Sequence, residues 1–434
     1  MFEIAIVCLV LTAVLAYLNH RYVGLPTTIG VMGIALLLSI VLVGLDKLGI
    51  HVLRTYAQSW LSTIDFSYVL MQGMLSILLF AGALHVDLNN LNQYKRPVGL
   101  LSVVGTLMST LLVAGAVWWI LAAAGLALPL PFCLLFGALI SPTDPIAVMG
   151  IVRAAGAPKN LEIVMAGESL FNDGIGIVLF SLFLSMATGG QAPTFSHGAM
   201  LLLREAGGGI LFGLAIGFLT YRMLKSIDSY QVEILMTLAT VLGGYALAHR
   251  LHVSGPLAMV VAGLLIGNHG RALAMSDKTR EHLDMFWELL DEILNAVLFM
   301  LLGLEVILVA FSPRIVLIQA AVIVAVLLAR LVSVGMPACW WRRFFRLPHG
   351  SWQVLTWGGL RGGISVALAL SLPEGRAREL ILAMTYAVVV FSVIAQGLTI
   401  GPLVRRTIPQ RGEAQDPALS GQAVGATRNG VKCP

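Results

Sequence analysis

The sequence AGESLFNDGIGIVLF, at residues 166–180, places four polar side chains in an otherwise apolar stretch. If the stretch is helical, residues four apart share a face, so Glu168 stacks on Asn172 and Ser169 stacks on Asp173. A hydroxyl one turn from a carboxylate forms part of an oxygen cage, the kind of ligand that hard cations prefer. The pattern therefore favours a cation site at Ser169 and Asp173, and it leaves Glu168 on the adjoining face to pair with an arginine.

A second polar stretch, LISPTDPIAVMG at residues 139–150, contains two prolines. Proline has no amide hydrogen to donate, and it disfavours helix at the residue before it. Pro142 and Pro145 therefore predict two half-helices joined by an extended segment that contains Thr143 and Asp144. In a membrane, irregular backbone is tolerated where it lines a cavity or is buried in protein, and such interruptions are typical of transport sites.

The composition indicates the class of protein that contains these stretches. Hydrophobic residues make up 58% of the 434 residues and charged residues only 11%, which leaves too little polar surface for a water-soluble globule. Apolar segments of about 20 residues recur, the length that a helix needs to cross the hydrocarbon core. None of them alternates as an outer-membrane barrel strand does. The sequence therefore predicts an all-α integral membrane protein.

About thirteen transmembrane helices are predicted, joined by short connections. They lie at about residues 2–19, 25–45, 67–86, 98–125, 132–151, 163–187, 203–224, 232–249, 254–268, 285–309, 315–338, 352–372 and 379–404. Residues 1–406 are therefore predicted to form one membrane transport domain. Residues 407–434 are polar and rich in glycine and alanine, which predicts a short disordered tail.

Lysine and arginine are distributed unevenly between the two sides of the predicted bundle. When loops are assigned alternately, most of these residues lie on the side of the tail. By the positive-inside rule the tail is cytoplasmic and the N-terminus lies outside. The net charge of +5 is then explained by membrane topology, and no nucleic acid is expected as a partner.

Two arginines, Arg330 and Arg361, lie within predicted spans and not in loops. A charged side chain at membrane depth costs several kcal/mol unless it is paired or faces a water-filled cavity. The deepest candidate partners are Asp144, Glu168 and Asp173. These charges could also serve only to hold helices together, so their presence alone does not separate a structural role from a transport role.

A second interrupted span is predicted at the position that an inverted repeat requires. If spans one to six and eight to thirteen are repeats, the fifth span corresponds to the twelfth, SWQVLTWGGLRGGISVALALSL, where glycines flank Arg361 on both sides. Matching interruptions favour a carrier over a cation channel, for which no filter segment is visible. An intramembrane enzyme is not favoured either, because the sequence contains neither HExxH nor GxSxG.

The stretches SPTDPIAV, GESLFNDGIGIVLF, FWELLDEILNAVLFMLLGLEV and WGGLRGGISVALALSLP occur in this order over nearly all of the membrane region. They resemble the monovalent cation/proton antiporters of the first type, the sodium/proton exchangers of bacterial and animal cells. The resemblance implies inverted six-helix repeats, two crossing discontinuous helices, a core domain beside a dimerisation domain, and a homodimer. It also implies an elevator-like cycle in the inner membrane that serves pH and sodium homeostasis without a cofactor.

The resemblance further implies roles for the residues of the ion site. Asp173 would bind either Na+ or a proton, and Ser169 and Thr143 would supply oxygen atoms to the cation. Asn172 would hold the crossing region together by hydrogen bonds. Asp144 would face the ends of the broken helices.

The remaining charges are assigned structural roles by the same resemblance. Glu168 would pair with Arg330, with Arg361 as the other possible partner, and Arg361 would lie near the crossing point. Related electrogenic exchangers have an aspartate where this chain has Asn172. The expected activity is therefore electroneutral exchange of one Na+ or Li+ for one proton, and a potassium/proton antiporter of the same fold stays open as the alternative.

Overall fold

The structure, a computed structural model, describes residues 2–49, 74–144, 146–189, 200, 203–271, 275–305, 313–341, 345 and 347–408. Every regular element in these ranges is helical, which confirms the predicted all-α fold class. Some predictions lie outside the described residues. These are the predictions for Pro145, for the start of the third span at 67–73, for the end of the tenth span at 306–309, and for the tail from 409 to 434.

The helices follow one another through mostly short connections. In chain order they are Phe2–Leu18, Thr27–Lys47, Leu75–Leu84, Leu88–Gln93, Lys95–Gly99, Thr106–Ala123, Leu130–Ile140, Ile146–Ala154, Lys159–Thr188, Gly208–Leu224, Tyr230–Arg250, Gly255–Leu265, Asp277–Glu305, Pro313–Arg330, Met336–Trp340, Ser351–Trp357, Gly363–Leu370, Arg376–Phe391 and Gly397–Thr407. Wider π-helical turns extend or join several of them, at Asn19–Val23, Leu100–Gly105, Leu203–Gly207, Ile266–Gly270, Leu331–Gly335 and Ser392–Gln396.

Within the described ranges, eight of the continuous helices are long and apolar enough to cross a membrane. Shorter apolar helices lie at Leu75–Leu84, Leu130–Ile140 and Gly255–Gly270. Within the described residues, each predicted span overlaps a helix or a pair of half-helices. The number of thirteen crossings and the inverted repeats stay predictions.

The outer surface of the bundle is apolar, as a lipid-facing surface must be. Large side chains such as Trp119, Leu211 and Leu317 are about seven-tenths exposed, at 69%, 70% and 73%. In water an apolar surface of this extent is unfavourable, whereas in a bilayer it contacts acyl chains while the helices satisfy their own backbone hydrogen bonds. The exposed residues therefore fit a protein embedded in lipid.

One of the π-helical turns has a local cause in the sequence. Pro337 cannot donate a hydrogen bond to the carbonyl of Ser333, which lies within the turn Leu331–Gly335. The turn follows directly after Arg330 and so lies beside a buried charge. The sequence predicted an uninterrupted helix here, because the effect of one proline on helix width is not visible in an apolar pattern.

Both predicted interruptions are present. Leu130–Ile140 and Ile146–Ala154 are separated by non-helical backbone, as are Ser351–Trp357 and Gly363–Leu370. The interruptions meet inside the bundle, where the amide of Asp144 donates a hydrogen bond of 2.8 Å to the carbonyl of Leu360 in the second interruption. The two discontinuous helices therefore cross at their non-helical segments.

Helix Asp277–Glu305 packs closely against helix Thr27–Lys47 through Gly303. A Cβ atom added at Gly303 would lie 2.6 Å from the Cβ of Ala35. It would also contact the backbone of helix Thr27–Lys47. At this point the hydroxyl of Ser39 donates a hydrogen bond of 2.8 Å to the carbonyl of Gly303. Small residues allow such backbone approach between membrane helices, where lipid-like surfaces provide little hydrophobic driving force.

We predict that Gly303→Ala lowers the melting temperature of the detergent-purified protein. Alanine favours a helix by about 1 kcal/mol over glycine, but overpacking against a fixed backbone costs about 1 to 3 kcal/mol. Gly33→Ala on the partner helix is the control, because a Cβ there meets no atom within 4 Å. Equal melting temperatures for the two variants would contradict close packing at Gly303.

Candidate functional site

Asp173 lies at a cavity in the interior of the bundle. Its side chain belongs to helix Lys159–Thr188 and is 8% exposed. The cavity has a volume of about 110 Å³, enough for a monovalent cation with a few water molecules. Its polar lining comes from both interrupted helices and from two further helices, and comprises Thr143, Asp144, Asp173, Asn295 and Ser365. The carboxylate therefore lies where an ion can contact several oxygen atoms at once.

Asn172 connects the extended segment of the first interrupted helix to helix Lys159–Thr188 by hydrogen bonds. Its Oδ1 accepts a hydrogen bond of 3.3 Å from the amide of Thr143, and its Nδ2 donates one of 2.9 Å to the Thr143 hydroxyl. The Thr143 and Ser169 hydroxyls are 3.0 Å apart and hydrogen-bonded. Ser169 thus reaches the cavity through Thr143, and Asn172 satisfies a backbone amide that the interruption releases.

Asp144 lies against the start of the second half-helix of the other interrupted span. A Cβ atom at Gly362 would overlap the carboxylate and Cβ of Asp144. Gly362 immediately precedes helix Gly363–Leu370, and the N-terminus of a helix carries partial positive charge. The carboxylate of Asp144 is therefore partly neutralised by the helix end, and glycine is required at position 362 to admit it.

Arg361 makes the complementary contact at the crossing. It is 1% exposed, and its Nη1 donates hydrogen bonds to the carbonyls of Ser141 at 2.5 Å and Pro142 at 2.8 Å. These carbonyls follow helix Leu130–Ile140, whose C-terminal end carries partial negative charge. The backbone amide of Arg361 is also satisfied, by the hydroxyl of Ser392 at 2.8 Å. The guanidinium therefore neutralises carbonyls that the first interruption leaves without helical partners.

Glu168 and Arg330 form a buried ion pair on the other face of the carboxylate helix. The two guanidinium nitrogens of Arg330 donate to the two carboxylate oxygens of Glu168, at 2.5 and 3.1 Å. Glu168 is 1% exposed and Arg330 is 6% exposed. Arg330 also donates to the carbonyl of Leu355 at 3.1 Å, and a Cβ at Gly359 would lie 2.5 Å from its Nε. The pair thus ties three helical segments together.

The sequence analysis missed one polar residue on the opposite wall of the cavity, Asn295. Asn295 is 1% exposed, lines the cavity, and donates a hydrogen bond of 2.9 Å to the carbonyl of Asp291. Asn295 lies four residues after Asp291, and Asp291 lies three residues after Glu288, so a polar helical face in FWELLDEILNAV was the available signal.

A cluster of hydroxyl groups behind the first interruption was also missed. The hydroxyl of Ser141 contacts Ser109 at 3.1 Å and Thr110 at 3.2 Å, and donates to the carbonyl of Gly137 at 2.7 Å. A Cβ at Gly137 would collide with the carbonyl of Thr110, so the two helices approach through their backbones. Isolated serines and threonines in apolar spans carry no spacing signal, which is why the sequence did not indicate this cluster.

The arrangement separates two kinds of side chain. Asp173, Thr143 and Asp144 face a cavity that suits a hard cation, while Glu168 and Arg361 are each engaged by fixed partners. Two discontinuous helices that cross beside a buried carboxylate are the arrangement of secondary ion transporters.

Comparison with known families agrees with this class. The family model described as sodium/hydrogen exchanger, transmembrane, matches residues 10–406. The chain belongs to this sodium/hydrogen exchanger family, and it is therefore a multi-pass membrane protein of a transporter family. The resemblance inferred from the sequence motifs is confirmed.

Individual relatives extend the comparison over most of the chain. The Na(+)/H(+) antiporter NhaP of Pseudomonas aeruginosa is 52% identical over 410 residues, which cover 94% of this chain and 97% of the relative. The Na(+)/H(+) antiporter NhaH of Halobacillus dabanensis is 35% identical over 349 residues, covering 79% and 83%. The solved structure of the sodium proton antiporter MjNhaP1 from Methanocaldococcus jannaschii at pH 8 covers 88% of this chain and 98% of its own, with a TM-score of 0.65 and 21% identity. This last likeness supports the fold alone.

We predict that Glu168→Gln and Arg330→Gln each strongly destabilise the protein. Removing one partner leaves an uncompensated buried charge, which costs about 3 to 5 kcal/mol, whereas removing both should cost less than the sum. The measurement is a double-mutant cycle of melting temperatures in detergent. Asp277 and Arg280 provide the control cycle, because Asp277 is 98% exposed and such a pair should contribute about 0 to 1 kcal/mol. Additive losses at Glu168 and Arg330 would show that their contact contributes no coupling.

Proposed function

We propose that the chain exchanges Na+ or Li+ for protons across the inner membrane, in an electroneutral ratio of one to one. The observation that carries the proposal is the position of Asp173 at a cavity bounded by both interrupted helices. The printed names of the relatives from Pseudomonas aeruginosa and Halobacillus dabanensis, both Na(+)/H(+) antiporters, support Na+ as the cation. The exchange would serve pH and sodium homeostasis.

Competition for one carboxylate produces the exchange. An ionised aspartate in a site that excludes bulk water requires a compensating positive charge, which either Na+ or a proton supplies. With Na+ bound, the Asp173 carboxylate and the Thr143 oxygens contribute ligands, and Ser169 and Asn172 orient Thr143. With a proton bound, Asp173 is neutral and Na+ has no anionic ligand. A carrier that changes orientation only when one of them is bound must therefore exchange one for the other.

The charges around Asp173 favour a ratio of one to one. Asn172 cannot ionise, Glu168 is neutralised by Arg330 at hydrogen-bond distance, and Asp144 lies at a helix N-terminus. Asp173 is then the one site carboxylate whose proton occupancy changes during the cycle. It releases one proton for each monovalent cation that it binds, so the loaded site has the same net charge in both directions.

The contacts at the crossing support an elevator-like movement. The bonds from Asn172 to Thr143 and from Arg361 to Ser141 join the interrupted helices to helix Lys159–Thr188 as one unit. Asn295, on helix Asp277–Glu305, closes the cavity from the opposite side. We assign this unit as the moving core and the opposite wall to the dimerisation helices of a homodimer. In this proposal the N-terminus lies outside and residues 407–434 lie in the cytoplasm.

We predict that Asp173→Asn yields a folded, membrane-inserted protein without transport activity. Asparagine is nearly isosteric with aspartate but can neither release a proton nor provide an anionic ligand. The assay is the dissipation of a pH gradient in proteoliposomes after addition of Na+, Li+ or K+. Asp277→Asn is the same chemical change at a side chain that is 98% exposed, and it should transport normally. Exchange by Asp173→Asn at more than a few per cent of wild type would exclude Asp173 as the shared site, and faster wild-type exchange with K+ would favour the potassium alternative.

We also predict that exchange does not respond to membrane voltage and that its rate falls on both sides of an optimum pH. In acid, Asp173 stays protonated and excludes Na+, and in alkali no proton is available for the return step. Proteoliposomes clamped with potassium and valinomycin, with Na+ as substrate, measure both properties. A reversal potential that shifts with the imposed voltage would mean that Asp144, Glu168 or Asp291 also changes its proton occupancy, and the one-to-one ratio would be wrong.

A further inference from the structure

A groove of about 530 Å³ lies away from the ion site, between the half-helix Ser351–Trp357 and the helix Gly397–Thr407. Its walls include two half-buried tryptophan rings, apolar side chains, an amide, hydroxyl groups and one arginine. The lining residues that matter here are Trp352, Gln353, Trp357, Thr399, Leu403 and Arg406. We call this surface the Trp/Arg groove.

The length of the last helix places the groove at a membrane surface. The continuous helix Arg376–Thr407 has 32 residues. At 1.5 Å per residue it is about 48 Å long, against a hydrocarbon core of about 30 Å, so its ends reach the lipid headgroups. Arg406 lies in its last turn, and tryptophan is enriched at this depth of the bilayer. The Trp/Arg groove therefore opens where headgroup and acyl chain meet.

The chemistry of the groove suits a ligand that is both anionic and apolar. Arg406 is exposed, and in the described part of the chain no carboxylate lies within ion-pair distance of it. A guanidinium group binds phosphate oxygens in a two-pronged geometry. The Trp357 ring is held in place, because its Nε1 donates a hydrogen bond of 2.8 Å to the hydroxyl of Thr399. Trp352 and Leu403 add apolar surface beside this cation.

We infer that the Trp/Arg groove binds an anionic glycerophospholipid, with the phosphate on Arg406 and the acyl chains along Trp352 and Leu403. The site is linked to the crossing by the backbone. Trp357 ends the half-helix directly before the second interruption, and its carbonyl accepts a hydrogen bond of 2.9 Å from Gln396. The bound lipid thus stabilises the half-helix that leads into the ion site.

Thermal melting of the detergent-purified full chain tests the inference without depending on transport. Phosphatidylglycerol should raise the melting temperature by about 3 to 5 °C when it is present well above its dissociation constant. Phosphatidylcholine and inorganic phosphate should each give less than half of that shift. Arg406→Gln should lose the shift, measured against its own lipid-free melting temperature. Arg405→Gln is the matched control, because Arg405 is the exposed neighbour that does not line the groove.

Four results would overturn the inference. An equal shift with phosphatidylcholine, or an undiminished shift in Arg406→Gln, would indicate general solvation by lipid. A full shift with inorganic phosphate would indicate an anion site without specificity for lipid. If Arg406→Gln affects stability only while residues 409–434 are present, and lipid has no effect, the tail of the chain is the occupant of the groove.

Discussion

The structure depends on one constraint, that backbone released from a helix inside a membrane must find new partners within the protein. The backbone groups that each interruption releases form hydrogen bonds with groups of the other interruption. Arg361 from the second interruption donates to the carbonyls of Ser141 and Pro142 in the first, and the amide of Asp144 in the first donates to Leu360 in the second. Because the helix ends carry opposite partial charges, the same contacts also place Arg361 at a negative end and Asp144 at a positive end. The cavity that Asp173 lines lies beside these contacts.

The helix Lys159–Thr188 connects this crossing to the rest of the bundle through two different faces. One face carries Glu168, whose ion pair with Arg330 is fully enclosed and serves to hold helices together. The adjoining face carries Asp173, which faces the cavity. In the proposed exchange, two carboxylates only five positions apart thus have opposite roles: Glu168 keeps its partner Arg330, while Asp173 exchanges a cation for a proton. This separation explains why their substitutions should differ, with a loss of stability at one and a loss of exchange at the other.

The cavity is completed by a residue to which the sequence analysis gave no role. Asn295 comes from helix Asp277–Glu305, which packs against helix Thr27–Lys47 through Gly303. The wall opposite the crossing is therefore anchored in a different part of the bundle from Asp173. In an elevator-like cycle, as proposed above, contacts across this boundary must break and reform, whereas the hydrogen bonds of Asn172 with Thr143 remain intact. The boundary rather than the crossing is then the place where movement occurs.

The sequence by itself determined the membrane class, the approximate spans and both interrupted helices, because apolar length, proline and glycine act locally on the chain. Helical periodicity also placed Ser169 and Asp173 on one face and Glu168 on another. Only the tertiary structure decided which charges meet. Glu168 contacts Arg330, 162 positions away, while Arg361 contacts carbonyl groups, and the sequence had left both arginines as possible partners. The place of Asn295 in the cavity wall was likewise set by packing, since contacts between distant helices depend on how their surfaces fit together and not on any spacing along the chain.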